Sequence, residues 1–219
     1  MISILGYGWV SPDGHGSARG GSGGAGEPDR NELFQQPFRN FGRLDRTSRQ
    51  TCYAIGLALK DSGLTWSFEH LRGAGIIGAG AAGCLDSDAG YFRDYYQEGR
   101  TLGRGNLFIY TLPSSPLAEA AIHFGLTGPL FYLGAPRISV ADSVMVAAEV
   151  MEDQEVPMML AGCSENGSAM YVVLARDLTG DAGGLCPLEE VPSMFSPALT
   201  VSEMVARLAS GGNPGGVGK

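Results

Sequence analysis

The chain has 219 residues, a formal net charge of −8 and 44% hydrophobic residues. This length and composition predict one globular domain with a sizeable core and exclude a disordered chain. The acidic balance, without any stretch dense in Lys or Arg, argues against nucleic acid as a partner. No apolar run reaches the ~18 residues that a membrane-spanning helix needs. The first residues, Met1 to Gly6, indicate a strand and not a signal peptide, so we expect a cytoplasmic protein.

The first half of the chain alternates between strand and helix patterns. Residues 2–5 predict a short strand, and the Gly- and Ser-rich stretch 11–30 predicts a mobile loop, because its composition cannot bury a core. The next helix is expected at 47–64, with Thr47 or Ser48 as its N-cap. Further elements are expected in the following order: a strand at 75–80, a helix at 86–97, and a helix that starts at Ser115-Pro116 and stops at Gly125.

The second half continues the alternation. Strands are expected at 130–133, 157–161 and 170–175. Between the first two, Ser139 and Asp142 form a capping box for a helix that runs to Met151 and is apolar on almost every side. The pattern predicts an α/β fold, a layered sheet with helices on both faces.

The tail at 179–219 is rich in Gly and Pro and differs in composition from residues 1–178. It contains one amphipathic helix at about 200–209, which a second capping box, Thr200-x-x-Glu203, should start. We therefore expect one domain over 1–178, followed by this tail.

Cysteine and histidine spacing gives little support for a metal site. The cysteines are widely separated, without a CxxC pair, so neither zinc ligation nor a disulfide framework is expected, and no cofactor is predicted. Cys163 follows a strand and is a candidate nucleophile or ligand-binding group, but it has no neighbouring base in the sequence. The alternative is a small residue at a strand end. His123 lies in an apolar helix, where a structural role is favoured over a general base.

The stretch Gly78–Gly83 matches the dinucleotide fingerprint G-x-G-x-x-G. A single match is weak, and the acidic residue expected about 20 residues later, at the end of a second strand, does not appear in that context. A nucleotide-binding α/β domain is therefore one alternative. The other is a Gly-rich turn beneath packed helices.

The order of several segments resembles the N-terminal region of the β-ketoacyl synthases, a family with the thiolase fold. The resemblance is carried by MISILGYGWVSPDG at 1–14, RLDR at 43–46, IIGAGAAG at 76–83, TLP at 111–113, AIHFGLTGP at 121–129 and LAG at 160–162. It implies a thiolase-like half, the N-terminal ketosynthase-type subdomain, and it explains the glycines of 78–83 without a dinucleotide.

Two departures from the family decide the expected function. The ungapped match places Arg137 where the family has its nucleophilic cysteine, and arginine cannot carry an acyl thioester. The family's catalytic histidines and lysine lie in a second half, and no histidine follows His123. The resemblance therefore implies no catalytic residue and no β-ketoacyl synthase activity for this chain alone.

The resemblance implies a non-catalytic, ketosynthase-like accessory protein in fatty-acid or polyketide-type biosynthesis. Its expected partners are a second copy, a ketosynthase or an acyl carrier protein. Association is expected through the helix 139–151 or the strand 130–133, unless the helix from Thr200 folds back and covers the exposed face. Arg137 is expected either to bind a carboxylate or phosphate or to form a salt bridge with a nearby acid such as Asp142. Ser139 and Cys163 are further candidate ligand-binding residues. The alternative is a small enzyme in which Cys163 or Arg137 acts on an acyl thioester.

Overall fold

The computed structural model describes residues 1–64, 71–100, 103–176 and 184–212. The strands are β1 Ile2–Ser11, β2 Gly14–Ser17, β3 Gly21–Gly23, β4 Gly75–Gly80, β5 Leu130–Gly134, β6 Met158–Glu165, β7 Ser168–Arg176 and β8 Cys186–Pro187. The helices are α1 Arg30–Leu33, α2 Arg46–Asp61, α3 Leu85–Gln97, α4 Gly105–Phe108, α5 Ser115–Phe124, α6 Val140–Asp153, α7 Val191–Met194 and α8 Val201–Ala209. Short 3-10 turns lie at Phe41–Arg43, Ile109–Thr111 and Leu188–Glu190.

One mixed sheet organises the described residues. Its strand order is β3-β2-β1-β7-β6-β4-β5, and β8 also pairs with β1. Strand β4 runs parallel to β5 and β6, whereas the remaining pairs are antiparallel. Ala79 of β4 is in register with Leu133 of β5 and with Cys163 of β6. The carboxyl ends of these three strands therefore meet at one edge of the sheet.

Helices cover both faces of this sheet, which confirms the predicted α/β class. On one face, the buried sides of α6, α7 and α8 form a core with Trp9, Ile77 and Val172. On the other face, α2 and α5 form a second core with Leu5 and Val173. Alternate residues of β7 thus enter opposite cores, as the period of two in a strand requires.

Local capping explains where the main helices begin. Ser139 with Asp142 and Thr200 with Glu203 form complete capping boxes at the starts of α6 and α8, as predicted. The prediction for α2 was wrong at its start. Asp45, and not Thr47 or Ser48, is the N-cap, and its carboxylate accepts a hydrogen bond from the Ser48 amide at 2.8 Å.

The expected mobile loop at 11–30 is instead partly ordered into β2 and β3. Small residues make this possible, because a Cβ at Gly16 would lie 2.9 Å from the Trp9 ring. The segment is also tied to the end of α2. The Arg19 amide donates to Asp61 Oδ1 at 2.6 Å, and the Arg19 guanidinium donates to the Leu5 carbonyl at 2.7 Å. Backbone pairing and one buried carboxylate supply the order that composition alone does not indicate.

The structure corrects the expectation that α6 is apolar on every side. One side packs on the sheet, while the outer side carries exposed Asp142, Met145 and Glu149. The C-terminal helix α8 packs on the same face of the sheet as α6, and the outer side of α6 stays exposed.

The tail contains more structure than its composition predicts. Besides α8, it forms β8 and α7, and Val191 and Phe195 are fully buried. Residues 177–183 and 213–219, which include the expected domain boundary and the final Gly-rich segment, lie outside the described residues. In the described part of the chain, no helix has the length and apolar character needed to span a membrane.

Candidate functional site

The loop from β5 to α6 carries two of the residues singled out from the sequence. Ser139 is buried, and its hydroxyl donates to Asp142 Oδ2 at 2.7 Å and accepts from the Asp142 amide at 3.1 Å. Its own amide donates to the same carboxylate at 2.8 Å. The positive end of the α6 dipole therefore already faces the Asp142 carboxylate. A second anion at this position would meet that negative charge.

Arg137 lies two residues before this cap, and its side chain is exposed. It forms no ion pair with Asp142, whose carboxylate faces Ser139. Its charge acts instead at the start of α8. Hydrogen bonds from Thr200 lower the pKa of the Glu203 carboxyl, and the positive charges of Arg137 and Arg207 lower it further. The Arg137 guanidinium is thus not paired with Asp142, and its charge acts on Glu203 at the start of α8.

Cys163 lies deep in the core and not at an accessible strand end. Cys163 is 1% exposed and packs beneath α6, near Ser143, whose hydroxyl donates to the Val140 carbonyl at 2.8 Å. Burial raises the pKa of the Cys163 thiol far above its ordinary value, and the nearby Glu165 carboxylate raises it further. Because the thiolate is the reactive form, this cysteine is poorly suited to nucleophilic attack.

The glycines of 78–83 are explained by packing. A Cβ at Gly78 would lie 2.5 Å from Leu117 of α5, and a Cβ at Gly80 would lie 2.8 Å from the Tyr132 hydroxyl. The helix that follows, α3, carries Asp86 and Asp88 in its first turn. These carboxylates would repel a phosphate at the helix N-terminus, so the geometry does not favour a dinucleotide.

A buried polar cluster that the sequence analysis missed lies on the α2 side of the same sheet edge. Thr51 Oγ1 is 2.7 Å from Ser164 Oγ, and the Ser164 hydroxyl donates to the Tyr171 hydroxyl at 3.4 Å. Burial raises the pKa of Tyr171, so the phenol stays protonated. A cavity of about 10 Å³ lies beside these three groups. No local signal could have found this cluster, since 113 residues separate Thr51 from Ser164.

An open groove of about 970 Å³ lies between the segment 36–44 and α5. Arg39 and Arg43 line it, together with apolar Ile109 and Ile122, whose side chains are 52% and 75% exposed. We call this feature the arginine groove. The Glu119 carboxylate also lines the groove, so two guanidinium groups stand against one carboxylate. With the exposed aliphatic side chains, this surface suits an acidic, amphipathic partner.

His123 lies at the wall of the arginine groove and has a structural environment, as its sequence context indicated. Its ring stacks on Phe38 with centroids 3.8 Å apart and meets the edge of Phe34 at 5.0 Å. Burial lowers the pKa of His123 to about 4, so the imidazole is neutral at pH 7.

Several known proteins are similar to this chain in sequence or in fold. No protein-family model matches the chain. Over 157 residues, which are 69% of the chain, it is 29% identical to a Streptomyces rimosus protein named oxytetracycline polyketide putative beta-ketoacyl synthase 1. The chain spans about a third of that protein's length, since the match covers 36% of it.

Solved structures agree with the sequence match. The ishigamide ketosynthase/chain length factor aligns with a TM-score of 0.61 at 13% identity, over 84% of this chain and 64% of that one. The chain has the fold of the ketosynthases. A β-ketoacyl synthase from Burkholderia phymatum STM815 aligns with a TM-score of 0.55 at 15% identity, over 80% of this chain and 59% of that one.

A third structure is the ketosynthase AntDE bound to AntF, the acyl carrier protein of a type II polyketide synthase. It aligns with a TM-score of 0.56 at 14% identity, over 80% of this chain and 63% of that one. The resemblance to a ketosynthase-type, thiolase-like half that the sequence motifs indicated is confirmed.

Proposed function

We propose that this chain is a non-catalytic, ketosynthase-like subunit of a polyketide-type biosynthetic system. The feature that carries the proposal is Arg137, which the ungapped motif match aligns with the family's nucleophile and which lies between β5 and α6. A guanidinium is charged at every physiological pH and has no nucleophilic atom to acylate. The Asp142 carboxylate at the start of α6 also replaces the anion that a thiolate would supply.

The partner we propose is a ketosynthase that docks at strand β5. This strand ends the sheet order, so its outer edge is not paired with another strand of the described residues. Its sequence, LFYLG, contains no charged residue, and Phe131 is 41% exposed. An uncharged edge strand of this kind is a template for pairing with a second protein. The ishigamide protein, named as a ketosynthase/chain length factor, supports a partner of this class.

The second partner we propose is an acyl carrier protein at the arginine groove. The chain has a net charge of −8, but Arg39 and Arg43 lie together on one concave surface. This surface is suited to a negatively charged partner. The AntDE:AntF complex supports a carrier protein as that partner. We propose that the chain positions a carrier protein for a ketosynthase and does not itself form a carbon–carbon bond.

The catalytic part of the proposal is tested by intact-protein mass spectrometry after incubation with acyl thioesters. We expect no added acyl mass on the wild-type chain. A stable adduct that disappears in Cys163→Ser would contradict the proposal and support the alternative, an enzyme that handles acyl thioesters through Cys163.

Docking of a ketosynthase at β5 is tested by co-purification of the tagged chain with a ketosynthase of the same organism. We expect Phe131→Glu to abolish capture, because a charge on the edge strand opposes strand pairing. Met145→Glu is the matched control, since Met145 is 40% exposed on α6. Loss of capture in Met145→Glu alone would move the interface to α6. Equal capture by wild type and Phe131→Glu would contradict docking at β5.

Binding of the carrier protein at the arginine groove is tested by titrating it against the wild-type chain and against an Arg39→Glu/Arg43→Glu variant. Reversal of two charges should weaken binding at least about tenfold and remove most of its dependence on salt. Arg72→Glu, an exposed arginine outside the groove, is the control. If the control variant and the double variant lose binding equally, the groove is not the docking site.

A further inference from the structure

Helix α3 has no place in either core of the molecule. None of its residues from Leu85 to Gln97 is buried, and none belongs to the two core clusters of the sheet. A helix of 13 residues is marginal in water by itself, and most helices in proteins depend on packing an apolar face. The side-chain contacts of α3 should therefore account for its stability.

One side of α3 has such contacts. The Tyr91 ring meets the edge of Phe108 of α4 with centroids 5.7 Å apart, and Tyr95 stacks beside Tyr91 at 6.4 Å. Asp94 pairs with Arg104 at 3.4 Å. This half-buried side attaches α3 to the segment that carries α4.

The opposite side of α3 is apolar and exposed. Leu85, Phe92 and Tyr96 are 62%, 66% and 58% exposed, and Ala89 between them is also exposed. Their spacings of four, three and four residues place them in one stripe along the helix, the spacing of a coiled-coil seam. We call these four residues the α3 seam. The seam spans about three turns and is shaped for another helix.

The order of residues along the seam points to the identity of that helix. In an antiparallel pair of α3 helices, Leu85 of one copy faces Tyr96 of the other, and Ala89 faces Phe92. Each layer thus sets a smaller side chain against a larger one, which is how packed helices interdigitate.

The charges beside the seam are also self-complementary. Asp86 and Arg93 are both exposed and lie seven residues apart on the same flank of the seam. In the antiparallel arrangement, Asp86 of one copy faces Arg93 of the other, and the two-fold axis repeats the pair.

We propose that α3 is a self-association surface, at which the seam pairs with the seam of a second copy in antiparallel orientation. The proposal goes beyond the function proposed above, whose partners dock at β5 and at the arginine groove. Because one helix stripe is smaller than a standard protein interface, the dimer should be weak, with a dissociation constant on the order of tens of micromolar.

Sedimentation equilibrium of the full chain over about 5 to 200 µM tests the proposal, because this range spans a weak dimer. We expect Phe92→Glu to raise the dissociation constant at least about tenfold, since it places a charge in the central layer. Met145→Glu, at a 40% exposed position on α6 and outside the seam, should leave the constant unchanged. Far-UV circular dichroism checks that both variants fold.

Charge reversal tests the orientation. Arg93→Asp should weaken the dimer by about three- to fivefold, as expected for an exposed charge pair. The double exchange Asp86→Arg/Arg93→Asp should restore the constant to within about twofold of wild type, because it re-forms the pair with its signs reversed. Failure of the double exchange to restore the constant would overturn the antiparallel pairing.

Two other outcomes would overturn self-association through α3. One is a wild-type chain that stays monomeric at the highest concentration while Phe92→Glu abolishes ketosynthase capture, which assigns the seam to the ketosynthase. The other is a dimer that Phe131→Glu disrupts and Phe92→Glu does not, which assigns the second copy to β5. A monomer that still captures a ketosynthase leaves the proposed function intact and rejects only this inference.

Discussion

Helices α3 and α6 each follow a parallel strand and are nearly equal in length, at 13 and 14 residues, yet they differ in what holds them. Helix α6 buries seven residues against the sheet and starts with a capping box. Helix α3 buries none, and its N-cap, Cys84, makes no side-chain capping bond. The fold of the described residues thus stabilises α6 from within, whereas α3 presents its apolar residues to the outside. The comparison separates the part of the chain that forms the fold from the part that is available to partners.

The largest expected effect on stability tests this difference between α6 and α3 directly. Val144→Asp places a carboxylate in the buried side of α6 and should cost about 3 kcal/mol or more of unfolding free energy. Phe92→Asp in α3 should change it by less than about 0.5 kcal/mol, because the site is exposed. Urea denaturation followed by circular dichroism measures both. Similar losses in the two variants would mean that α3 is part of the cooperative core.

The second effect concerns a buried residue on the other face of the sheet. Burial depresses the pKa of His123 to about 4 from its usual 6.5, so the unfolded chain binds the proton more readily. The contribution of the neutral imidazole to the free energy of unfolding is therefore fully present above pH 6.5. It is lost as the pH falls from about 6.5 toward 4, by about 2 to 3 kcal/mol at most.

Urea denaturation at a series of pH values checks this dependence. In His123→Phe the share of this loss that the imidazole causes should be absent, so the variant should lose less stability than the wild type between pH 6.5 and 4. A wild-type and a variant curve with the same slope in this range would contradict burial as the cause.

The third effect measures the capping box of α6. Ser139→Ala removes the hydroxyl that accepts from the Asp142 amide and should cost about 1 kcal/mol of unfolding free energy. Ser139→Thr retains a hydroxyl that can accept from the Asp142 amide and donate to its carboxylate, and it is the control. The result would disagree with the structure if the alanine and threonine variants were equally stable in urea denaturation.

The smallest expected effect on the free energy of unfolding concerns helix propensity in α3. Gly90→Ala should raise the unfolding free energy by no more than about 0.5 kcal/mol, because a Cβ at Gly90 meets open space and α3 is not part of the core. Amide exchange within α3 should nevertheless slow by several-fold, since alanine favours the helix. Exchange rates in α3 that stay the same would show that its opening is not limited by helix propensity.

Features that depend on neighbouring residues were predictable from the sequence. The two capping boxes, the strand at 75–80 and the αL stop at Gly125 each follow from a few adjacent side chains. The alignment of Arg137 with the family's nucleophile stays a prediction, which rests on the continuous motif around it. The start of α2 was missed because Asp45 competes with two other good caps, Thr47 and Ser48, and sequence alone does not rank them.

Features that depend on distant residues were not predictable. The order of the Gly-rich segment depends on Asp61, which lies 42 residues beyond Arg19. The hydroxyl cluster of Thr51, Ser164 and Tyr171 joins α2 to β6 and β7. The burial of Cys163 depends on α6 above it, so a residue that reads as accessible at a strand end is in fact enclosed.

The attachment of Arg19 to the end of α2 has a consequence for protease sensitivity. Its guanidinium donates to the Leu5 carbonyl at 2.7 Å and to the Asp61 carbonyl at 2.5 Å, and lies 3.8 Å from the Asp61 carboxylate. Trypsin needs an arginine side chain to enter its charged specificity pocket, and Nη1 of this one is already bound to two carbonyls. The glycine-rich hairpin, which by composition looks like the easiest place to cut the chain, should therefore resist trypsin at Arg19 as long as the contact with Asp61 holds.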